Sequence, residues 1–214
     1  MDTITIQQIS SATTTRRKIV DIATRIIETD GQEALSMRQL AQAIGLSPAA
    51  LYKHFDGKEA ILQAVRERAL KRMAHAFAET EKLNGNPLDD VRTACRTLLT
   101  FAVEQPQLYS LIYERYDHTR PNYKEIFNTL HFRYMQKKLR QARKMDLLNL
   151  PPGFNEELLV LQLWTCIHGC VILRHSLMAG EAVFHEVSER MLNTMLDNLE
   201  NPQDQWQVPR QADQ

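Results

Sequence analysis

The sequence predicts an all-α protein, and three observations lead to this fold class. Glycine is scarce, with 7 in 214 residues. Nearly every long segment repeats its apolar residues with helical period, and no alternating apolar and polar stretch is long enough for a β-sheet. The predicted helices are a first one at about 15–29, two short ones near residues 36–55, and longer ones at about 58–82, 88–104, 106–117, 121–147, 155–179 and 183–200.

The two short helices have clear start and stop signals. Ser36 can cap the first, with Gln39 reaching back as in a capping box, and Gly45 can end it in a left-handed conformation. Ser47 can cap the second, and Pro48 then occupies the first helical position, where its missing N–H costs nothing. A helix, a sharp turn and a second helix are therefore expected. The residues predicted to meet inside the corner are Leu40, Ile44, Leu51 and Phe55.

This helix-turn-helix predicts DNA binding, because the second helix of such a unit fits the major groove while the first braces it across the backbone. Leu51 and Phe55 should face the core, so the residues around them should point outward. Residues 1–72 hold eleven basic and eight acidic residues, an excess of +3 that permits DNA binding. The predicted contacts are Ala49 and Ala50 to bases, Lys53 to a guanine or a phosphate, Ser47, Tyr52, His54 and Lys58 to phosphates, and Arg17, within a segment 13–17, to the adjacent backbone or minor groove.

A specific pattern of residue types runs through IVDIATRIIETDGQEALSMRQLAQAIGLSPAALYKHFDGKEAIL. It consists of Ala23, Gly31, Ser36, Ile44, Gly45, Leu51, Tyr52, His54, Phe55 and Lys58. With this pattern, the segment from Arg16 to about Val65 resembles the DNA-binding domain of the tetracycline-repressor (TetR) family. The resemblance implies the same division into base-facing and phosphate-facing positions. Gly57 departs from it, because the family usually has Ser or Asn there, and glycine is a weaker helix cap.

The second half also resembles this family, in a subgroup where Trp, His and Gly recur on the next-to-last helix. Trp164, His168 and Gly169 carry that resemblance, within LWTCIHGCVILRH. The family architecture implies that the last two long helices pair with those of a second copy into a four-helix bundle. A homodimer is also expected because a palindrome reader with one recognition helix needs a second copy. The apolar surface predicted for this pairing comes from Leu161, Ile172, Leu192, Met195 and Leu199.

A cavity for a small-molecule effector is expected among the central helices, and its aromatic lining suits an apolar or planar molecule. The predicted lining is Phe101, Tyr109, Tyr113, Phe127, Trp164 and His168, with Tyr134 and Met135 as further candidates. The alternative is that these side chains only pack the core. The basic stretch FRYMQKKLRQARK is interpreted as a solvated helix face rather than a second DNA site.

The three cysteines are odd in number and spread along the chain, which argues against a disulfide framework. Cys166 and Cys170 share a helix face, but His168 points elsewhere and no fourth ligand is suggested nearby. We therefore predict neither a metal site nor a cofactor.

Four segments are expected along the chain: a flexible arm at 1–14, the DNA-binding domain at 15–62, a ligand-binding and dimerisation domain at 63–200, and a disordered tail at 201–214. The N-terminus lacks the features of a secretion signal, and no apolar run approaches the roughly 18 residues that span a bilayer. We expect a cytoplasmic protein without a membrane partner.

The predicted function is a transcriptional regulator that binds double-stranded operator DNA, represses, and is released by its effector. Two alternatives remain. A TetR-like regulator could be controlled by a protein partner, or an all-α enzyme could use His168 as a base. No Ser–His–acid arrangement, phosphate loop or paired carboxylate motif supports the enzyme.

Overall fold

The computed structural model describes residues 3–113, 129–148, 150, 153–176 and 181–200, and its regular elements in these ranges are all helical. The all-α prediction is confirmed. The elements are α1 (Thr3–Asp30), a short 3-10 turn (Gln32–Ala34), α2 (Met37–Ile44), α3 (Pro48–Tyr52), α4 (Lys58–Asn84), α5 (Pro87–Glu104), α6 (Pro106–Tyr113), α7 (Leu130–Lys144), α8 (Glu156–Ser176) and α9 (Glu181–Glu200).

The first helix starts earlier than the sequence indicated. It begins at Thr3 instead of about residue 15, so it includes most of the segment expected to form an arm. Residues 3–14 contain neither glycine nor proline, and nothing in them breaks a helix. The helix predicted at about 121–147 differs at its start, because Thr129 is extended and α7 begins at Leu130. The other starts and ends agree within a few residues where they can be compared. The tail at 201–214, and the helix end predicted at about 117, lie outside the described residues.

The chain divides into two compact units, and the first comprises the described residues within 1–72 and 101–121. Its core is built from apolar residues of α1, of the two short helices and of the turn after them: Ile19, Ala23, Ile27, Leu40, Leu51 and Phe55. α6 packs against α1 in the same unit. Arg66 on α4 donates from Nε to the carbonyl oxygen of Leu111 at the end of α6, at 3.0 Å. The boundary that the sequence predicts at residues 62–63, between a DNA-binding domain and a ligand-binding and dimerisation domain, stays a prediction.

The second unit comprises the described residues within 73–100 and 122–214. In it α8 packs against both α7 and α9. Over Glu156–Arg174, α8 is long and apolar enough to cross a membrane by length and composition alone, with a mean hydropathy of 1.4. One third of that segment is buried against the rest of the structure, and core helices of soluble proteins share this composition.

Lys138 corrects another expectation, because it lies in the basic stretch that was interpreted as a solvated face. Its side chain is 6% exposed, and Nζ lies 2.7 Å from Oδ2 of Asp90, which is 2% exposed. A buried ammonium group is tolerated only when it is paired. α7 therefore turns a charged residue inward, toward a carboxylate on α5.

Candidate nucleic-acid interface

The helix-turn-helix begins with the cap of α2. The Ser36 hydroxyl oxygen accepts a hydrogen bond from the Gln39 backbone N–H at 3.2 Å, as predicted. The return contact differs from that of a standard capping box, because the Ser36 hydroxyl donates to the Gln39 side-chain oxygen at 2.8 Å. The start of the helix is thus fixed by its own side chains.

Gly45 ends α2 in the left-handed conformation that the sequence predicted, with φ 76° and ψ 30°. Its N–H bonds to the Gln42 carbonyl at 3.2 Å, and the N–H of Leu46 bonds to the Ala41 carbonyl at 2.9 Å. Only glycine adopts this backbone without steric cost. The sharp exit brings the chain to Ser47 within two residues.

The recognition helix α3 is short. The Ser47 hydroxyl oxygen accepts from the Ala50 N–H at 3.1 Å, and Pro48 takes the first helical position. The helix ends at Tyr52, so Lys53 and His54 lie in the turn that follows rather than within the helix. The physical reason is Phe55, which is 2% exposed and enters the core at the end of this turn.

The eight predicted DNA-contacting residues all lie in the first unit, and none of them is buried. Tyr52 is 54% exposed although Leu51 beside it is fully buried. The exposed members are Arg17, Ser47, Ala49, Tyr52 and Lys53, and the half-buried members are Ala50, His54 and Lys58. The unit therefore presents these side chains on its surface, and their contacts with DNA remain a prediction.

Arg16 was placed by the sequence in a segment that follows DNA, but its structural role is different. Its Nη1 donates to the carbonyl oxygen of His54 at 2.5 Å. Its guanidinium carbon lies 3.9 Å from the centroid of the Phe55 ring. Arg16 thus joins α1 to the turn after the recognition helix. Sequence reasoning missed this contact because the partners are 38 residues apart.

A groove of about 450 Å³ lies along α1 in the first unit. Its lining is Thr13, Arg16, Arg17, Val20 and Arg68. Arg68 also pairs with Asp21 across the groove wall. Of the three arginines that line the groove, Arg16 contacts the His54 carbonyl and Arg68 pairs with Asp21. Arg17 is the one that the sequence predicts to contact DNA.

The predicted effector residues fall into separate groups. Tyr109 and Tyr113 are buried in the first unit, with ring centroids 4.7 Å apart, and Phe101 is half-buried in the same unit. Trp164 and His168 stack in the second unit, with centroids 4.9 Å apart and an interplanar angle of 14°. Phe127 lies outside the described residues. That these side chains line one cavity stays a prediction.

His131 was not singled out by the sequence, yet it lies at the centre of the second unit's aromatic core. It is fully buried, and its ring contacts Phe77 edge-on at 6.2 Å and Phe132 at 4.7 Å. Burial lowers the pKa of His131 to about 3. The imidazole is therefore neutral at physiological pH and serves as a packing residue.

Two family models match the chain. Residues 19–65 match the model of bacterial regulatory proteins of the tetR family, and residues 91–199, about half of the chain, match the model of the tetracyclin repressor-like C-terminal domain. The first match covers the whole helix-turn-helix, and the second covers α5 to α9.

Individual relatives agree with these matches. The HTH-type transcriptional regulator UidR of Escherichia coli (strain K12) is 37% identical over 67 residues, which are 29% of this chain and 34% of UidR. The match thus spans about a third of that relative's length. A protein of unknown function from Rhodococcus sp. RHA1 has a TM-score of 0.70 at 22% identity, covering 87% of this chain and 95% of its own. The regulator FadR from Bacillus subtilis, in complex with stearoyl-CoA, has a TM-score of 0.63 at 15% identity over 86% and 97%. These two structures show the same fold.

Proposed function

This chain belongs to the TetR family of bacterial regulatory proteins, and on that premise we propose that it is a repressor that binds a palindromic operator as a homodimer and is released by a small-molecule effector. It is a helix-turn-helix transcription regulator with a DNA-binding domain. The observation that carries the proposal is the surface around α3, where Tyr52 and Lys53 are exposed between the buried anchors Leu51 and Phe55.

The proposed contacts follow from exposure and chemistry. Ala49, Ala50 and Lys53 face bases, because small side chains let the backbone approach and an ammonium group can donate to guanine acceptors. The phosphate contacts come from Tyr52, His54, Lys58, Arg17 and Ser47. The Ser47 hydroxyl can serve although it caps α3, since its oxygen accepts from Ala50 while its O–H remains able to donate.

Dimerisation is supported by apolar surface on the last two helices. Leu173 on α8 is 41% exposed and Val183 on α9 is 55% exposed. The other large exposed apolar residues of these helices are Leu158, Ile172 and Met191. Gly169 is also exposed, and an added Cβ there would meet no atom within 4 Å, so a second helix has room to approach. An apolar patch of this kind favours a protein interface.

This surface differs in part from the one that the sequence suggested. Ile172 is exposed as expected, but Leu192 is only 1% exposed and packs within its own chain. The helical period alone does not say which of two apolar stripes faces outward. The proposed interface therefore rests on Leu158, Ile172, Leu173, Val183 and Met191.

For the effector we propose an apolar or planar molecule that contacts the stacked pair of Trp164 and His168. Phe132 extends this aromatic surface, with its ring centroid 6.3 Å from that of Trp164. A related fold is known with stearoyl-CoA bound, which supports a small-molecule ligand. We assign the C-terminal domain to the Trp-His-Gly subgroup of the family and the protein to the cytoplasm. An effector contact by Phe101, Tyr109, Tyr113 and Phe127 stays a prediction of the sequence.

Control by a protein partner is the second candidate, and catalysis is not favoured, because the family and its relatives are transcription regulators.

Selection of bound sequences from a random duplex pool tests the main proposal. We expect a pseudo-palindrome to be enriched. If the purified chain binds all duplexes equally, the proposed operator recognition is wrong. Melting of the protein against a metabolite panel then distinguishes a small-molecule effector, which raises the melting temperature, from a protein partner.

A further inference from the structure

Sulfur atoms gather on the side of α8 that meets α9. Cys166 and Cys170 are four residues apart on α8 and therefore share one face of that helix. The Cys170 thiol also donates to the thioether sulfur of Met191 on α9, with Sγ and Sδ 3.6 Å apart. Two thiols and one thioether therefore form a continuous row between the two helices, and the DNA-binding role uses none of them.

We propose that Cys166, Cys170 and Met191 form a binding site for one soft monovalent metal ion, Cu(I) in its chemical class. Thiolate and thioether ligands together select such an ion. Metal–sulfur bonds of about 2.3 Å, arranged around a three-coordinate centre, separate the sulfur atoms by about 4 Å. The 3.6 Å between Cys170 and Met191 is close to that separation. Cys166 lies one helical turn before Cys170 on the same face and supplies the third sulfur.

A hard or intermediate metal ion suits this row less well. The part of the chain that the structure describes holds no group of three His, Cys, Asp or Glu residues arranged for a metal ion. His168, the nearest imidazole along α8, stacks on Trp164. Zinc takes four nitrogen, thiolate or carboxylate ligands, and the third ligand here is a thioether. The donor set therefore favours the soft ion over zinc.

A disulfide between Cys166 and Cys170 also fits less well. Residues four apart on a helix have Cβ atoms about 5–6 Å apart, whereas a disulfide needs about 3.5–4.5 Å. Burial raises the pKa of the Cys166 thiol to about 11 and raises the pKa of Cys170. Few thiolates are then present at neutral pH to attack an oxidant. A metal ion spans the gap without bending the helix.

The site is open to solvent on one side. Cys166 is half-buried, Cys170 is buried, and Met191 is 41% exposed. Because Met191 also belongs to the proposed dimer surface, an ion enters past its side chain in the single chain, before two chains pair, and displaces the two thiol protons. Thiol ligands bind a metal ion as thiolates, so each bound ion displaces two protons.

The test is a titration of the full-length chain with Cu(I), without oxygen, against a chromophoric Cu(I) chelator. We expect one ion per chain. Cys166→Ala and Cys170→Ala should each lower the affinity by more than about 100-fold, because each removes a direct ligand. Loss of a residue that only supports a ligand costs about 10- to 100-fold. Met191→Leu keeps the apolar surface and should lower it about tenfold. Met145→Leu is the matched control, since Met145 is a 55% exposed methionine just beyond the end of α7 and outside the row, and it should bind like the wild type.

Melting curves without metal confirm that each variant is folded. The proposal is overturned if the folded Cys166→Ala/Cys170→Ala double variant binds Cu(I) as tightly as the wild type. It is equally overturned by release of fewer than two protons per ion, or by zinc binding as tight as that of Cu(I). None of these measurements involves DNA, so they stand apart from the test of operator binding.

Discussion

The guanidinium group of Arg16 lies 3.9 Å from the centre of the Phe55 ring and also donates to the backbone carbonyl of His54. One side chain of α1 thus contacts two adjacent residues at the end of the short turn that follows the recognition helix. Because α3 has only five residues, its direction depends on what fixes its ends. The cap at Ser47 fixes the start, and Arg16 fixes the exit. Arg16 is a positioning residue in this account.

Arg16 and Arg17 are adjacent and both exposed, yet substitutions at them should weaken operator binding in different ways. Arg16→Met removes the stacking and the hydrogen bond, worth roughly 1–2 kcal/mol together, and should lower affinity about tenfold with an unchanged salt dependence. Arg17→Ala removes a phosphate contact, so the slope of log K against log salt should become shallower by about 1. Fluorescence anisotropy at several salt concentrations measures both. A shallower slope for Arg16→Met would place that residue on the DNA instead.

Lys53 should determine sequence preference. Lys53→Ala is expected to reduce the ratio of operator to random-duplex affinity by about 1–3 kcal/mol, because it removes a base contact. Lys71→Ala, an exposed lysine of α4 in the same unit, is the matched control and should leave the ratio unchanged. Equal loss of affinity for both duplexes in Lys53→Ala would make Lys53 a phosphate contact.

The α8–α9 surface should hold the dimer together. Leu173→Glu introduces a charge into the proposed apolar interface, and burying an unpaired charge is costly, so the variant should sediment as a monomer and lose operator binding. Leu130→Glu is the matched control, since Leu130 on α7 is also exposed, at 55%. A Leu173→Glu protein that is still dimeric would move the interface to another face.

The buried pair of Lys138 and Asp90 should be costly to break but replaceable. Lys138→Met leaves the Asp90 carboxylate buried without its partner and should lower the free energy of unfolding by about 3–5 kcal/mol. The double variant Lys138→Met/Asp90→Leu removes both charges and should recover most of that loss. Urea denaturation of the three proteins measures this. If the double variant is less stable than Lys138→Met, the pair contributes more than its replacement by apolar packing.

The local features of this fold could be predicted from the sequence, and the long-range ones could not. Ser36, Gly45 and Ser47 act on backbone groups within a few residues, so their types and spacing were enough to place the corner. The contacts of Arg16 with His54 and of Lys138 with Asp90 join residues far apart along the chain. Their partners depend on how helices pack, which no local pattern specifies.

The same limit explains the differences on α9 and at the recognition helix. Leu192 and Met191 are adjacent apolar residues, and packing decides that the first is buried and the second exposed. Lys53 lies outside α3 because Phe55 must reach the core two residues later. On α9 and at the recognition helix, the residue types indicated the kind of contact, and the packing determined which side chain is exposed to make it.

The most direct test of the central claim changes the spacing of the two half-sites in the selected operator. A dimer with fixed recognition helices reads half-sites about one helical turn apart, at roughly 34–36 Å. Inserting roughly 5 bp, half a turn, puts one half-site on the opposite face of the duplex. In sedimentation we expect two chains bound to each original duplex. We expect the affinity for the altered duplex to fall to the affinity for random DNA. Unchanged affinity, or one chain per duplex, would contradict a palindrome-reading dimer.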